Sequence, residues 1–326
     1  MAQITLVEAI NLALKHEMGR DSSVVVMGQD VGVDGGVFRA TLGLTEKFGR
    51  ERVVDTPLAE GLIAGMAIGM AVEGLKPVAE IQFSGFAYTV IDQILNHAGR
   101  MRHRTRGRLS CPMVLRTPCG AGIHAPEHHS ESPEAMFAHI PGIRVVYPSS
   151  PRRAYGLLLA AIRDPDPVIF LEPTRLYRLF KEDVDDDGQA VQLDICHTVR
   201  EGTDVTLVAW GPMLPATLAA ADDLAEQGVA AEVLDVSTLK PLDMDSILAS
   251  VAKTGRCVIA SEEPRTASFA GEIAANLAED GLLTLLAPVQ RVTAPDIVVP
   301  FSRLEHQYMP GKERILAAAR KILEFA

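Results

Sequence analysis

The chain is short of several features on which common functions depend. Four cysteines occur in 326 residues, Cys111, Cys119, Cys196 and Cys257, and no two of them form a CxxC pair. That argues against a disulfide framework and a cysteine-rich zinc site, and predicts reduced, buried thiols in a cytoplasmic enzyme. Positive charge is not in excess. The net charge of -11 argues against a nucleic-acid binder and suits a basic protein partner. No uninterrupted apolar run is long enough to cross a bilayer, and the opening Met-Ala-Gln-Ile-Thr has no basic region ahead of an apolar stretch. Neither a membrane span nor a secretory signal is expected, which leaves the cytoplasm as the default. Both common nucleotide fingerprints, GxGxxG after a strand and GxxxxGK[ST], are missing. So is a Gly-Asp-Gly metal-diphosphate motif with a downstream asparagine, since Asp186-Asp187-Gly188 lies in an acidic, aperiodic stretch. Such a chain reads as the owner of half an active site.

What is present is a soluble globular balance of 48% hydrophobic and 22% charged residues, over a length that predicts two domains. Strand-like and helix-like segments alternate almost throughout, which predicts an α/β fold of two parallel-sheet domains. Thr5 and Glu8 read as a capping box opening a helix to about Met18. Strands are expected at 24–27, 77–82, 113–115, 144–147 and 168–171, and a helix at 58–73. The pattern dissolves at Lys181-Glu182-Asp183-Val184-Asp185-Asp186-Asp187-Gly188-Gln189, placing an acidic linker at 181–200 between domains at 1–180 and 201–326. Beyond it, strands are expected at 206–210, 231–235 and 257–260. Helices are expected at 214–227, 244–253, 270–280 and 314–325.

The most informative stretch is Asp55-Thr56-Pro57-Leu58-Ala59-Glu60-Gly61, with Gly65 and Gly69 following. Thr56 suits a helix cap and Pro57 the first helical position. Three helix-interior glycines forfeit roughly 3 kcal/mol against alanine. Four-residue spacing puts them on one face, so the expected compensation is close approach by another backbone or a cofactor. Glu60 stands at the entrance to that face. It reads either as a simple complement to the helix dipole or as a functional carboxylate, and the glycine face favours function.

Three further segments carry candidate chemistry. The loop Gly120-Ala121-Gly122-Ile123-His124-Ala125-Pro126-Glu127-His128-His129-Ser130-Glu131-Ser132 follows a strand, where open α/β sheets bind ligands. Pro126 argues against an HxxxH metal pair on a helix, which leaves a histidine proton donor or acceptor, or an idle exposed cluster. In Glu80-Ile81-Gln82-Phe83-Ser84-Gly85-Phe86, Gln82 and Phe86 offer an amide and a ring to a flat heteroaromatic ligand, or simply end a strand beside a core aromatic. Five arginines between Arg100 and Arg108 read as a subunit interface or a solvated basic loop.

These residues resemble the beta subunit of the thiamin-diphosphate-dependent decarboxylase that begins the 2-oxo acid dehydrogenase complexes. The resemblance covers essentially the whole chain. It rests on Gly35-Gly36-Val37-Phe38-Arg39-Ala40-Thr41, Asp55 to Gly61, Glu80-Ile81-Gln82-Phe83, His129-Ser130, Pro148-Ser149, the turn from Asp164 to Pro167, and Gly202-Thr203-Asp204-Val205-Thr206. It implies a transketolase-like pyrimidine-binding domain followed by a transketolase C-terminal domain. It also implies an α2β2 heterotetramer in which the alpha subunit binds magnesium and the diphosphate. Glu60 is then expected to hydrogen-bond a pyrimidine nitrogen of thiamin diphosphate, with Gln82 and Phe86 lining the ring and reacting centre. His129, favoured over His128 by the following Ser130, is expected to position substrate and protonate the lipoyl sulfur of the dihydrolipoyl acyltransferase. A potassium site is implied on backbone carbonyls of Cys111, Met113, Val114, Ala161, Asp164 and Asp166. Pyruvate is the leading 2-oxo acid, with branched-chain 2-oxo acids or acetoin as alternatives and a non-catalytic scaffold as the reading from another class. One departure stands out: many relatives have an acidic residue where this chain has Leu286 before Ala287-Pro288, which puts the mode of acyltransferase docking in doubt.

Overall fold

The computed structural model describes residues 2–325. Val-rich runs form strands buried on both faces, the pattern of parallel sheets covered by helices. The first half contributes β1 (Ala2–Ile4), β2 (Val24–Gly28), β3 (Val53–Asp55), β4 (Lys76–Glu80), β5 (Val114–Cys119), β6 (Arg144–Val146), β7 (Val168–Pro173) and β8 (Glu182–Val184). The second half contributes β9 (His197–Arg200), β10 (Val205–Ala209), β11 (Ala231–Asp235), β12 (Thr238–Lys240), β13 (Cys257–Pro264) and β14 (Gln290–Ala294). One sheet has the order β12-β6-β7-β5-β4-β2-β3 and the other β14-β13-β10-β11-β9. Within these two sheets the edge strands β12 and β9 alone run antiparallel to their described neighbours, so this is the expected α/β architecture.

Helix Leu6–Arg20 starts at the expected capping box, with the Thr5 amide donating to Glu8 Oε2 at 2.8 Å, and packs on helix Pro151–Arg163. One hydrophobic core continues from Ile63, Ala67 and Leu115 to Trp210, Leu234 and Ile259, so the two sheets share an apolar interior.

Two expectations need correction, and one further segment is structured where none was expected. The helix expected at 58–73 spans Glu60–Val72 with Ala59 at its cap. The Thr56 amide still donates to the Gly28 carbonyl at 2.9 Å, which ties the chain to the sheet and delays the helix. Thr56 Oγ1 is buried without a partner and caps nothing. The acidic stretch is also partly structured, because β8 pairs antiparallel with β1 and β9 closes an edge of the second sheet. Their short, half-exposed sequences show no alternation. Finally, the segment after Phe83 winds through short helical turns to Arg104, including a π-turn at Ile94–Ala98, where local periodicity predicted nothing.

Candidate active site

The candidate residues gather beyond the carboxyl ends of β2, β4 and β5, where open parallel sheets bind ligands. β4 delivers Gln82, Phe83 and Phe86, and β5 delivers the histidine loop. The His129 ring packs edge-on against Phe83 at 3.9 Å between centroids and against Phe86 at 5.5 Å, and His128 lies 4.1 Å away. Burial, followed by the neighbouring His128 charge, holds His129 below the usual histidine range, so its neutral form is favoured near pH 7. Its Nδ1 is buried and meets no partner, whereas the His128 side chain is half exposed. That contrast distinguishes the two histidines. The His128–His129 turn sits directly on Gly85, where a Cβ would collide with the His128 carbonyl. Gln82 Nε2 approaches Asp30 Oδ2 at 3.4 Å, a long contact that leaves the amide available.

Glu60 opens helix Glu60–Val72 and is half-buried. Its neighbour Gly61 faces the Thr89 carbonyl, 4.0 Å from where a Cβ would stand, so the helix start borders the turn after Phe86. The expected close approach along the glycine face is not made within this chain. Gly65 meets only the Gln93 side chain at 3.5 Å, and a Cβ at Gly69 would meet nothing within 4 Å. Leu58, Leu62 and Met66 nearby are exposed.

Sequence reasoning missed the support beneath these groups. Fully buried Arg116 gives Nε and Nη2 to Glu172 and Nη1 to Glu80, and the Tyr177 hydroxyl also donates to Glu172. A Cβ at Gly36 would lie 3.1 Å from Glu80 Oε1, so the Gly35-to-Thr41 loop closes over this network at a positive φ that suits glycine. Asp55 accepts from the Gly32 amide at 2.6 Å and the Val33 amide at 3.1 Å, fastening the same loop from the other side. Tyr88 donates to Glu131 Oε2 at 3.1 Å, and Ser84 Oγ to the Glu131 carbonyl at 2.8 Å, which pins the far end of the histidine loop. None of these contacts has a local sequence signature.

Among the described residues, no group of three or more His, Cys, Asp or Glu side chains is placed to hold a metal ion. His124 Nδ1 instead lies 2.9 Å from Glu305 Oε2. Beside the segments expected to hold potassium, the Val168 amide, two residues past Asp166, donates to the Met113 carbonyl at 3.0 Å. The Cys111 carbonyl accepts from Met113 at 2.8 Å and the Ala161 carbonyl from Asp164 at 3.3 Å. Asp164 pairs with Arg144 at 3.2 Å and Asp166 with Arg102 at 2.8 Å. With both carboxylates already neutralised, a cation here would depend on the second lone pairs of the carbonyls, an all-oxygen set of the type hard cations take. For thiamin diphosphate the fit is at one end only: an amide, aromatic rings and an unpartnered imidazole suit a heteroaromatic ring, while the chain has no diphosphate motif. Elsewhere in the expected basic run, Arg104 donates to the Asn96 carbonyl at 2.5 Å and Arg108 to the Thr105 carbonyl at 3.1 Å. No described helix is long and apolar enough to cross a membrane.

Residues 2–179 match the family described as transketolase, pyrimidine binding domain, and residues 195–315 match transketolase, C-terminal domain. Over 325 residues, covering 100% of both chains, the sequence is 48% identical to pyruvate dehydrogenase E1 component subunit beta of Bacillus subtilis. It is 46% identical to the protein of that name from Staphylococcus epidermidis and 44% to that of Staphylococcus aureus, again over 100% of each chain. The fold is similar to a solved structure titled split gene transketolase, inactive beta4 tetramer, with a TM-score of 0.79, 24% identity and 99% of each chain covered.

Proposed function

The chain belongs to the family of pyruvate dehydrogenase E1 component beta subunits, and from that premise we propose that it is the beta half of an α2β2 enzyme that decarboxylates pyruvate and acylates a lipoyl group. The observation that carries this reading is His129, unpartnered at Nδ1 and packed on Phe83 and Phe86 beyond the end of β4. An imidazole with no bond to the rest of the chain can accept or donate a proton without first breaking one. In this role His129 orients the 2-oxo acid and delivers a proton to the lipoyl sulfur of the dihydrolipoyl acyltransferase. Glu60 hydrogen-bonds the pyrimidine end of thiamin diphosphate, and Gln82 and Phe86 line it. Thiamin diphosphate, when bound, supplies the electron sink for loss of carbon dioxide.

The alpha subunit is proposed to hold magnesium and the diphosphate, for which this chain has no motif. Potassium is proposed to sit on the carbonyls of the Cys111-to-Val114 and Ala161-to-Asp166 segments. The proposed division of the chain is a pyrimidine-binding domain at 1–180, an acidic joining segment at 181–200 and a C-terminal domain at 201–326. The assembly is proposed to work in the cytoplasm.

The test is decarboxylation of pyruvate and of 3-methyl-2-oxobutanoate, with thiamin diphosphate and magnesium, by this chain alone and with its alpha partner. Pyruvate turnover by the mixture alone, lost in Glu60→Gln without loss of assembly, is the expected result. Turnover by the isolated chain overturns the divided site, and preference for the branched acid reassigns the substrate. Silence of an assembled, cofactor-loaded mixture makes the chain a scaffold.

A further inference from the structure

The histidine loop is held by two carboxylates contributed by the other half of the chain. Glu305, on the short helix Ser302–Tyr308, is 1% exposed. Its Oε1 accepts from the Gly122 amide at 2.6 Å, and its Oε2 from the His124 amide at 3.1 Å, with His124 Nδ1 at 2.9 Å. Glu262, on β13, is equally buried. Its Oε1 accepts from the Ala121 amide at 2.5 Å, and its Oε2 lies 3.1 Å from Arg175 Nη2. Three loop amides within four residues therefore end on carboxylates, not on backbone carbonyls.

The backbone is shaped for these contacts. Gly120 and Gly122 have φ of +89° and +99°. A Cβ on Gly120 would stand 2.9 Å from Glu262 Oε1, and one on Gly122 would stand 2.7 Å from Arg175 Cδ and 3.1 Å from Met309 Sδ. His124 is also held at a positive φ, +59°, which a non-glycine residue adopts only when its surroundings impose it. At its far end, the loop closes through Gly120, whose amide donates to the Glu131 carbonyl at 2.9 Å. Glu127–His129 thus sits inside a loop clamped at Ala121, Gly122 and His124 on one side and at Glu131 on the other. Among the described residues, no hydrogen bond joins the Glu127–His129 turn itself to the second half of the chain.

We propose that Glu305 and Glu262 are positioning residues through which the second domain sets the histidine turn against Phe83 and Phe86. The dependence is mutual. A buried carboxylate without donors is strongly unfavourable, and the loop amides without acceptors would be orphaned, so neither half keeps its arrangement alone. This division of labour gives the second domain a direct share in the chemistry of the first. It rests on the role of His129 proposed above.

The test uses the full-length chain assembled with its alpha subunit. Glu305→Gln keeps the volume and one acceptor but turns the other oxygen into a donor facing a donor, and Glu262→Gln does the same on β13. Each is expected to lower lipoyl acylation by roughly ten- to a hundredfold, as for a small misplacement of a reacting group. Each is also expected to speed amide exchange in 120–132 and leave both sheets unchanged. In a His129→Ala background, Glu305→Gln should add no further loss, because a residue acting through His129 has nothing left to position. Losses that multiply in the double variant overturn the proposal, as does unchanged exchange in the loop or faster exchange across both domains. If the wild-type assembly has no 2-oxo acid activity, the His129 reading fails while the exchange result still reports whether these carboxylates shape the loop.

Discussion

The guanidinium of Arg116 forms a fork on the Glu172 carboxylate, with Nε 2.6 Å from Oε1 and Nη2 3.0 Å from Oε2. Its remaining nitrogen, Nη1, reaches Glu80 at 2.9 Å, so one buried cation serves two strand-borne carboxylates under the candidate site. Burial opposes the arginine's charge, but Glu172 and Glu80 outweigh it and raise its pKa. Breaking a buried pair by removing one partner costs about 3–5 kcal/mol, because the other charge is left uncompensated. Arg116→Met is expected to destabilise the chain by about that amount in urea unfolding, with Arg116→Lys recovering only part, since an ammonium cannot form the fork. A change below about 1 kcal/mol in Arg116→Met would show that the network contributes little.

Gly85 supports the histidine turn from below. Alanine there would drive a methyl into the His128 carbonyl, and the neighbour is backbone, so the turn must move. Overpacking of this kind costs about 1–3 kcal/mol in stability. A displaced reacting group costs on the order of a hundredfold in rate. Gly85→Ala is therefore expected to lose acyl-transfer activity in the assembled enzyme while remaining folded by circular dichroism. Wild-type activity in a folded Gly85→Ala enzyme would detach the turn from the chemistry.

How much of this was legible in the sequence depended on the range of the forces involved. Val24–Gly28 and Val168–Pro173 were readable as strands because burial on both faces leaves unbroken apolar runs. The helix at Leu6 was readable because Thr5 and Glu8 satisfy each other within one turn. The start of the Glu60 helix was misplaced because a hydrogen bond from Thr56 to Gly28, a tertiary contact, overrode a local cap signal. Gln82, Phe86 and His129 were singled out from strand ends and a loop, and the structure brings their neighbourhood together. Arg116, Glu262 and Glu305 were invisible because their partners lie dozens to nearly two hundred positions away, where no spacing rule reaches.

His197 should make stability depend on acidity. Its pKa is lowered to about 4, first by burial and then by repulsion from Arg153, and its Nε2 has no partner. An unfolded histidine titrates near 6.5. Between about 4 and 6.5 the unfolded chain therefore carries a proton that the folded chain refuses, so this residue makes stability rise with pH across that window and stay level above it. His197→Gln is expected to flatten the part of the slope it causes. Urea midpoints of both proteins at pH 5 and pH 7 test this, and equal differences between the two pH values would assign the slope to other groups.

Gly69 separates what the helix needs from what its surroundings need. A Cβ there meets nothing within 4 Å, and the residue is exposed in the helix interior. In the isolated chain, Gly69→Ala should therefore add about 1 kcal/mol of stability from helix propensity. A helix-interior glycine beside the exposed Leu62 and Met66 has a use if something outside the isolated chain packs where a Cβ would stand. The expected occupant is the backbone of a neighbouring subunit lying against the Gly61-Gly65-Gly69 face. Gly69→Ala should then raise the unfolding midpoint of the free chain and weaken assembly with the alpha subunit, measured by sedimentation over a concentration series. Stabilisation with unchanged assembly would leave this face without a subunit and return the explanation of its glycines to the cofactor end at Glu60.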